Sequence, residues 1–468
     1  MIRNCLGKFA SGGGRRLFAG TVELVLSVVV LCIAGNVHAQ DAQKEPSTTI
    51  IFQNVRIFDG KSSTLSAPSN VLVRGNKIEK IFATPISGDG SANTQIVDGG
   101  GRTLMPGLID GHWHSMMATP PLNVILTADE GYLNLLAAVE AGKTLMRGFT
   151  GVRDMAGKTF GLKRAIDEGV MVGPRIWPSG ALISQTAGHG DFRMRYEVPR
   201  APTPLSHTDV IGLTAIADGP DEVLHRAREQ LMLGASQVKL AAGGAVLSTY
   251  DPIDVSEYTE AEIHAAVEAA ENWGTYVTVH VYTPRAIQTA IRAGVKCIEH
   301  GQLMDEATAK LMAEKGIWLS TQPFLDDEDA PKFPEGSLIM TKFLEVTRGT
   351  DNSNMLAKKY KLKTAWGTDT LFSAKLAARQ GEQLAKMVRW YTPAEVLAMG
   401  TRTNAELLAM SGPRNPYPGK LGVVEEGALA DLLLVDGDPI ANIRLIEDPA
   451  NNFVVIMKDG KIYKNTVH

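Results

Sequence analysis

Cysteine is scarce, with 3 in 468 residues. Cys5 and Cys32 fall in the first 39 residues, and Cys297 stands alone in an apolar run at 295–298. Once a leader is removed, a lone thiol has no internal partner, so the core alone must hold the fold. Cys297 reads as a small buried hydrophobe. An excess of charge is also missing: the formal net charge of −4 argues against a nucleic-acid binder. The body of the chain has no apolar run near the ~20 residues that span a bilayer. No internal repeat or low-complexity tract is evident. The N-terminus differs. Arg15 and Arg16 precede an apolar run at 22–34, and Asn36-Val37-His38-Ala39 then leads into Gln40. This reads as a secretory signal peptide over residues 1–39, giving a periplasmic or secreted protein without a stable membrane anchor. Arg15-Arg16-Leu17-Phe18 faintly matches a twin-arginine signal, but the general secretory route is the preferred reading.

What remains has two textures. Residues 49–104 give short β-type runs parted by Asp59-Gly60 and Arg74-Gly75-Asn76, and the far end repeats that pattern through 453–457 and Asp459-Gly460. One composite β-sandwich domain from 48–104 plus 416–468 is expected. The middle, 105–415, alternates short apolar strands with amphipathic helices. Strands are expected at 104–110, 151–153, 175–178, 236–240, 275–281, 295–299, 316–321 and 364–366. Helices are expected at 133–146, 221–233, 259–272 and 305–314, the third opening on a capping box of Thr259 and Glu262. Eight strands with helices between them predict a (β/α)8 TIM-like barrel whose site lies at the strands' C-terminal ends. Two stretches, 185–220 and 323–353, fit no regular element and read as binding loops or surface excursions.

The chemistry sits where those strands end. His112 and His114 close the first strand, and their spacing of two puts both imidazoles on one face, with Trp113 on the other. Later strands end in Lys239, His280, His300 and Asp369. One such residue could be an ordinary strand-end polar group. Six metal-compatible side chains on one rim are hard to explain as packing. His189, in Ala-Gly-His-Gly-Asp, is a candidate donor to a substrate carbonyl; a loop histidine bonded only to backbone is the plainer alternative. His207, His225, His264 and His468 receive no role.

The stretch from Pro106 to His114 resembles the opening motif of the amidohydrolase superfamily, and Gly427-Ala428-Leu429-Ala430-Asp431 before an apolar strand resembles its returning C-terminal segment. Val238-Lys239, His280-Val281-Tyr282 and Ile298-Glu299-His300-Gly301 look most like its prolidase-like dipeptidase and carboxypeptidase branch, which includes enzymes that cut ochratoxin to phenylalanine. The resemblance implies two divalent ions, most simply zinc given imidazole and carboxylate donors. His112, His114 and Asp369 would hold one, His280 and His300 the other, with Lys239 bridging them as N6-carboxylysine. An ammonium has no lone pair to offer a metal, so Lys239 must be carboxylated to serve, and burial favours the neutral amine that this needs.

The implied reaction is hydrolysis of the amide to a C-terminal amino acid by a metal-bridging hydroxide, with Asp369 moving the proton and His189 polarising the carbonyl. Dipeptides, N-acyl amino acids and ochratoxin A are the implied substrates. Tyr282, two residues past His280, and Arg285, near the next helix start, are candidates for holding the substrate's free carboxylate. The branch also implies a homo-oligomer. Two other readings stay open: a cyclic-amide hydrolase or deaminase of the imidazolonepropionase type, normally mononuclear, and a barrel scaffold without catalysis.

Overall fold

The computed structural model describes residues 48–84, 94–198 and 205–467. The expected signal peptide, with Cys5 and Cys32, lies outside the described residues, as do His468 and part of the 185–220 stretch. The chain is mixed α/β. Both ends build one hydrogen-bonded path of strands in the order Lys461–Asn465, Phe453–Lys458, Leu432–Val435, Thr103–Pro106, Thr49–Ile57, Ser69–Arg74 and Lys77–Phe82. Thr94–Asp98 also pairs, in parallel, with Thr49–Ile57. Thr49–Ile57 pairs with Ser69–Arg74 as far as Val55 and with Thr94–Asp98 as far as Gln53, while its last two residues serve Thr103–Pro106. A bulge with Asn54 at φ 52 makes that bend. The alternating apolar positions Ile50, Phe52, Val71 and Val73 pack with Leu432, Leu434, Val455 and Met457 in one core.

The expected strand at 104–110 is in fact two. Thr103–Pro106 belongs to the sheet of the chain ends, and Leu108–Trp113 starts a parallel sheet. Gly107 is the hinge. Its amide donates to Asp431 O at 2.8 Å, and a Cβ there would lie 2.3 Å from the Thr150 hydroxyl.

Leu108–Trp113, Phe149–Asp154 and Arg175–Pro178 form a three-stranded parallel sheet. A seven-stranded parallel sheet runs Thr214–Ile216, Leu182–Ser184, Val238–Ala241, Val277–Val281, Cys297–His300, Trp318–Thr321 and Lys363–Trp366. Among the described residues no strand ladder joins the two sheets; single backbone and side-chain amides cross between them. On one side Ser236 N donates to Pro178 O at 2.8 Å, and Gln237 Nε2 donates to Trp177 O at 2.9 Å. On the other, Asn404 Nδ2 reaches both Ile109 O and Trp366 O at 2.7 Å, while its Oδ1 accepts Trp366 N. Such amides satisfy backbone groups that a continuous ladder would otherwise pair.

The expected helices occur as Glu130–Met146, Pro220–Leu233, Glu260–Trp273 and Glu306–Lys315, and the third carries the Thr259–Glu262 capping box. Both stretches read as irregular contain regular structure. The first includes the three-residue strand Thr214–Ile216 and borders Leu182–Ser184, pieces too short to show a period. The second contains most of a 22-residue helix, Leu338–Lys359, capped by Ser337. Its run of Thr, Gly, Asp, Asn and Ser argues against helix, but tertiary contacts override propensity. Thr350 Oγ1 donates to Phe324 O, and Ser353 Oγ donates to Gly301 O.

Candidate metal centre and its cavity

Five of the six expected rim residues are buried, and Asp369 keeps 13% of its side chain exposed. His112 Nε2 and His114 Nε2 lie 3.3 and 3.0 Å from Asp369 Oδ1, and one donor atom from each of the three fits within a 4.8 Å cluster. The His300 ring centre lies 4.9 Å from that of His112 and 4.4 Å from that of His280. His300 and Asp369 both sit at positive φ, 76° and 52°. That conformation costs a non-glycine residue on the order of 1–3 kcal/mol and gathers at functional sites.

The polar groups around the rim aim its donors. Glu299 Oε2 takes His112 Nδ1 at 2.8 Å and Gln322 Oε1 takes His300 Nδ1 at 2.7 Å, leaving each Nε2 for the cavity. His280 Nε2 faces Gly244 O at 3.3 Å, leaving Nδ1. Such partners set the tautomer and direction of metal-binding imidazoles. Glu299 is itself gripped by Arg153, whose Nη2 lies 2.6 Å from Oε1 with both side chains fully buried. Asp110 accepts from His112 N, Thr368 N, Thr368 Oγ1 and Gln380 Nε2, which binds the first strand's end to the turn before Asp369.

Electrostatics favour neutral donors. Burial, then the Lys239 charge, pushes His112 down to about 4. Burial likewise takes His300 and His189 to about 3 and carries His280 well below its usual range. Burial opposes ionisation of Asp369, yet the surrounding imidazoles hold it below the usual carboxylate range. Lys239 is pushed down to about 8, chiefly by burial, and its Nζ is buried without a hydrogen-bond partner. An unpaired buried ammonium among four imidazoles is costly. A carbamate between cations removes that conflict, so this donor set fits divalent ions.

His189 and Tyr282 join the site. The His189 ring lies 4.1 Å from His280, and the Tyr282 ring lies 4.9 Å from His280 and 5.4 Å from His300. Arg285 does not. Pro284 starts the helix Pro284–Arg292, turning Arg285 to solvent while Ala286 and Ile287 face inward. Cys297 is fully buried and its thiol is pushed up to about 12 by burial, as suits packing. Above the rim opens a cavity that, counted out into open solvent, holds about 1340 Å³ of empty space. Its walls are largely apolar, with Met117, Leu182, Phe192, Val246, Phe324 and Phe343 among them. Two lysines line it, Lys239 and Lys386, and Lys386 is already paired with Asp327 and Asp329.

Sequence reasoning missed Arg153, Glu299, Gln322 and Asp110. For the three charged residues the available signal was a charge inside an apolar strand, because buried charges are rarely without partners; Gln322 carries no such signal.

The sequence profile described as the amidohydrolase family matches residues 103–467. Over 386 residues the chain is 31% identical to ochratoxinase from Aspergillus niger, covering 77% of this chain and 75% of that protein. The crystal structure of the Aspergillus niger enzyme superposes with a TM-score of 0.78 at 25% identity, over 90% of this chain and 96% of that one. A prolidase solved with N-methylphosphonate-L-proline gives 0.81 at 32% identity, over 90% and 100%. A Xaa-Pro dipeptidase with bound methionine gives 0.75 at 28% identity, over 89% and 100%.

Proposed function

Because the chain belongs to the amidohydrolase family, and so is a hydrolase of carbon–nitrogen bonds, we propose that it is a binuclear enzyme cutting the amide to a C-terminal amino acid. The observation that carries this reading is Lys239, a buried amine without a partner, set among His112, His114, His280, His300 and Asp369. Zinc suits those donors best. His112, His114 and Asp369 would hold one ion and His280 and His300 the other, with Lys239, as N6-carboxylysine, serving both. When bound, the ions supply an acidified water, with its pKa brought from ~16 toward ~7, and a Lewis acid for the carbonyl.

The protein's own groups complete the reaction. The Asp369 carboxylate accepts the water's proton and passes it to the leaving amine. His189 donates to the carbonyl oxygen, a role worth roughly 3 kcal/mol where such donors have been removed. Arg285 faces solvent and does not line the cavity, which leaves Tyr282 as the candidate for the substrate's carboxylate. Apolar walls favour an aromatic acyl or amino-acid group, so an ochratoxin A-like amide is the first substrate to try beside dipeptides and N-acyl amino acids. The monometallic cyclic-amide or deaminase reading gives Lys239 no purpose, and the inactive-scaffold reading gives none to the whole rim.

The two parallel sheets support a (β/α)8 barrel over 105–415, with a composite β-sandwich from 48–104 plus 416–468. An exposed apolar stripe on Glu130–Met146, including Leu135 at 68% and Val139 at 59%, suits a homo-oligomer. Export through the N-terminal leader remains part of the proposal. Metal content per chain, with the mass of Lys239 recorded under gentle conditions, tests the reading first. About two zinc per chain and an intact carbamate are expected. Asp369→Asn should then lower turnover at least ~1000-fold with little change in metal content. Normal turnover in that variant sinks the mechanism.

A further inference from the structure

We infer that Glu257 is a positioning residue for this reaction, its carboxyl group fixing the backbone of His189 and so aiming the imidazole into the cavity beside His280. The inference rests on the reading of His189 given above. Glu257 is fully buried, and its Oε1 accepts His189 N at 2.8 Å. Its own amide donates to Ala242 O, just beyond the strand that carries Lys239. The next residue holds the other end of the same turn, because Tyr258 N donates to Gln185 Oε1 at 2.8 Å. Residues 257 and 258 therefore grip 185 and 189 together. The turn between them is close-fitted: a Cβ on Gly188 would stand 2.5 Å from Glu257 Oε2 and 2.6 Å from Ser184 Oγ. Ala187 and Tyr258 both sit at positive φ, 60° and 64°, a conformation that needs outside restraint.

A second buried acid explains how a carboxyl group can serve there. Asp251 is 2% exposed, and its charge acts on Glu257. Burial first, and then the Asp251 charge, push Glu257 well above the usual carboxyl range. Asp251 Oδ2 accepts Ala245 N at 2.7 Å, and Lys342 ties the surrounding loop through the carbonyls of Ala245, Ser248 and Asp251. Burial and the neighbouring charge thus favour the protonated acid, in which Oε1 still accepts from His189 N while Oε2 is buried beside Gly188. Glutamine keeps a neutral side chain whose oxygen can accept from His189 N; alanine has no acceptor to offer.

The test uses the metal-loaded enzyme, with ochratoxin A as substrate, and the variants Glu257→Ala, Glu257→Gln and His189→Asn with the Glu257→Ala/His189→Asn double variant. Glu257→Ala should lower kcat by roughly 10–100-fold with KM within about threefold, as expected for a group misplaced at the reacting carbonyl. Glu257→Gln should recover most of that loss. The double variant should be no slower than His189→Asn alone, since Glu257 acts through His189. Hydrogen exchange gives a readout free of turnover: amides at 185–191 should exchange faster in Glu257→Ala and at the parental rate in Glu257→Gln. Should Glu257→Ala fold poorly, Glu257→Asp, one methylene too short to reach His189 N, should show the same pattern. Unchanged exchange at 185–191, or an equal kcat loss on the His189→Asn background, overturns the inference. Full kcat in His189→Asn alone defeats the reading of His189 itself, whatever the exchange data show.

Discussion

Two buried arginines on neighbouring strands do opposite jobs with the same chemistry. Arg153, near the end of Phe149–Asp154, is 0% exposed and grips Glu299 while also reaching Gly111 O, Tyr276 Oη and Ser320 Oγ. Arg175 opens Arg175–Pro178 and makes a two-pronged contact with Asp431 at 3.0 and 3.1 Å, plus a third bond to Asp459. Arg153 stands behind the rim, one carboxylate from His112. Arg175 joins the three-stranded parallel sheet to the sheet of the chain ends, where Asp431 O also receives Gly107 N. Burying either pair costs desolvation that its attraction only partly offsets. What differs is the neighbour: the Arg153 pair orients a ligand, and the Arg175 pair anchors a strand junction. A buried ion pair is therefore no sign of function until its next contact is known.

Glu299→Gln presses hardest on that contrast. It leaves the Arg153 guanidinium buried without a counter-charge, so stability should fall by about 3–5 kcal/mol in denaturant unfolding. It also removes the anion that holds His112 Nδ1, so metal affinity should fall by about 10–100-fold in a chelator competition. If stability drops while metal affinity stays at the parental level, Glu299 is only an anchor and the two arginine sites are alike. Asp431→Asn should act on folding alone. Arg175 keeps Asp459 as a partner, so the loss should be smaller, about 2–3 kcal/mol, and metal content and kcat per folded molecule should not move. A kcat loss on that side would show that the junction communicates with the rim.

The contrast also explains which parts of the molecule could be read in advance. His112, His114, Lys239, His280, His300 and Asp369 each close an apolar run, so their shared rim follows from strand periodicity once the strands are placed. Arg153 and Glu299 are 146 positions apart, and nothing local in Gly151-Val152-Arg153 or Ile298-Glu299 says that they meet. Asn404 and Glu257 are harder still, because each satisfies backbone groups far along the chain. Arg285 misled for the reverse reason. Its place near the start of the helix after His280 suggested a carboxylate-holding role, yet the first helical turn leaves it exposed. In Leu338–Lys359 local propensity was the wrong guide, since packing against Gly301, Gln302 and Phe324 decides that helix.

The smallest effect lies at the edge of the Arg175 site. Asp459 lies there with 48% of its side chain exposed. Burial raises its pKa, but the Arg175 guanidinium and a hydrogen bond from Asn76 pull harder, so it settles below the usual value of 3.8. A carboxyl group lowered on folding stabilises the native state above its unfolded pKa, and that stabilisation is lost as pH falls through the folded pKa. Solvent screening keeps the contribution under about 1 kcal/mol. Wild type and Asp459→Asn should therefore differ by a constant amount in denaturant midpoint between about pH 5 and 7, and the gap should narrow below about pH 4. A gap for Asp459→Asn that holds constant down to pH 3 would mean that Asp459 acts through its hydrogen bonds and not its charge. Arg175 would then be neutralised by Asp431 alone, as Arg153 is by Glu299, and the two sites would differ only in what their carboxylates touch next.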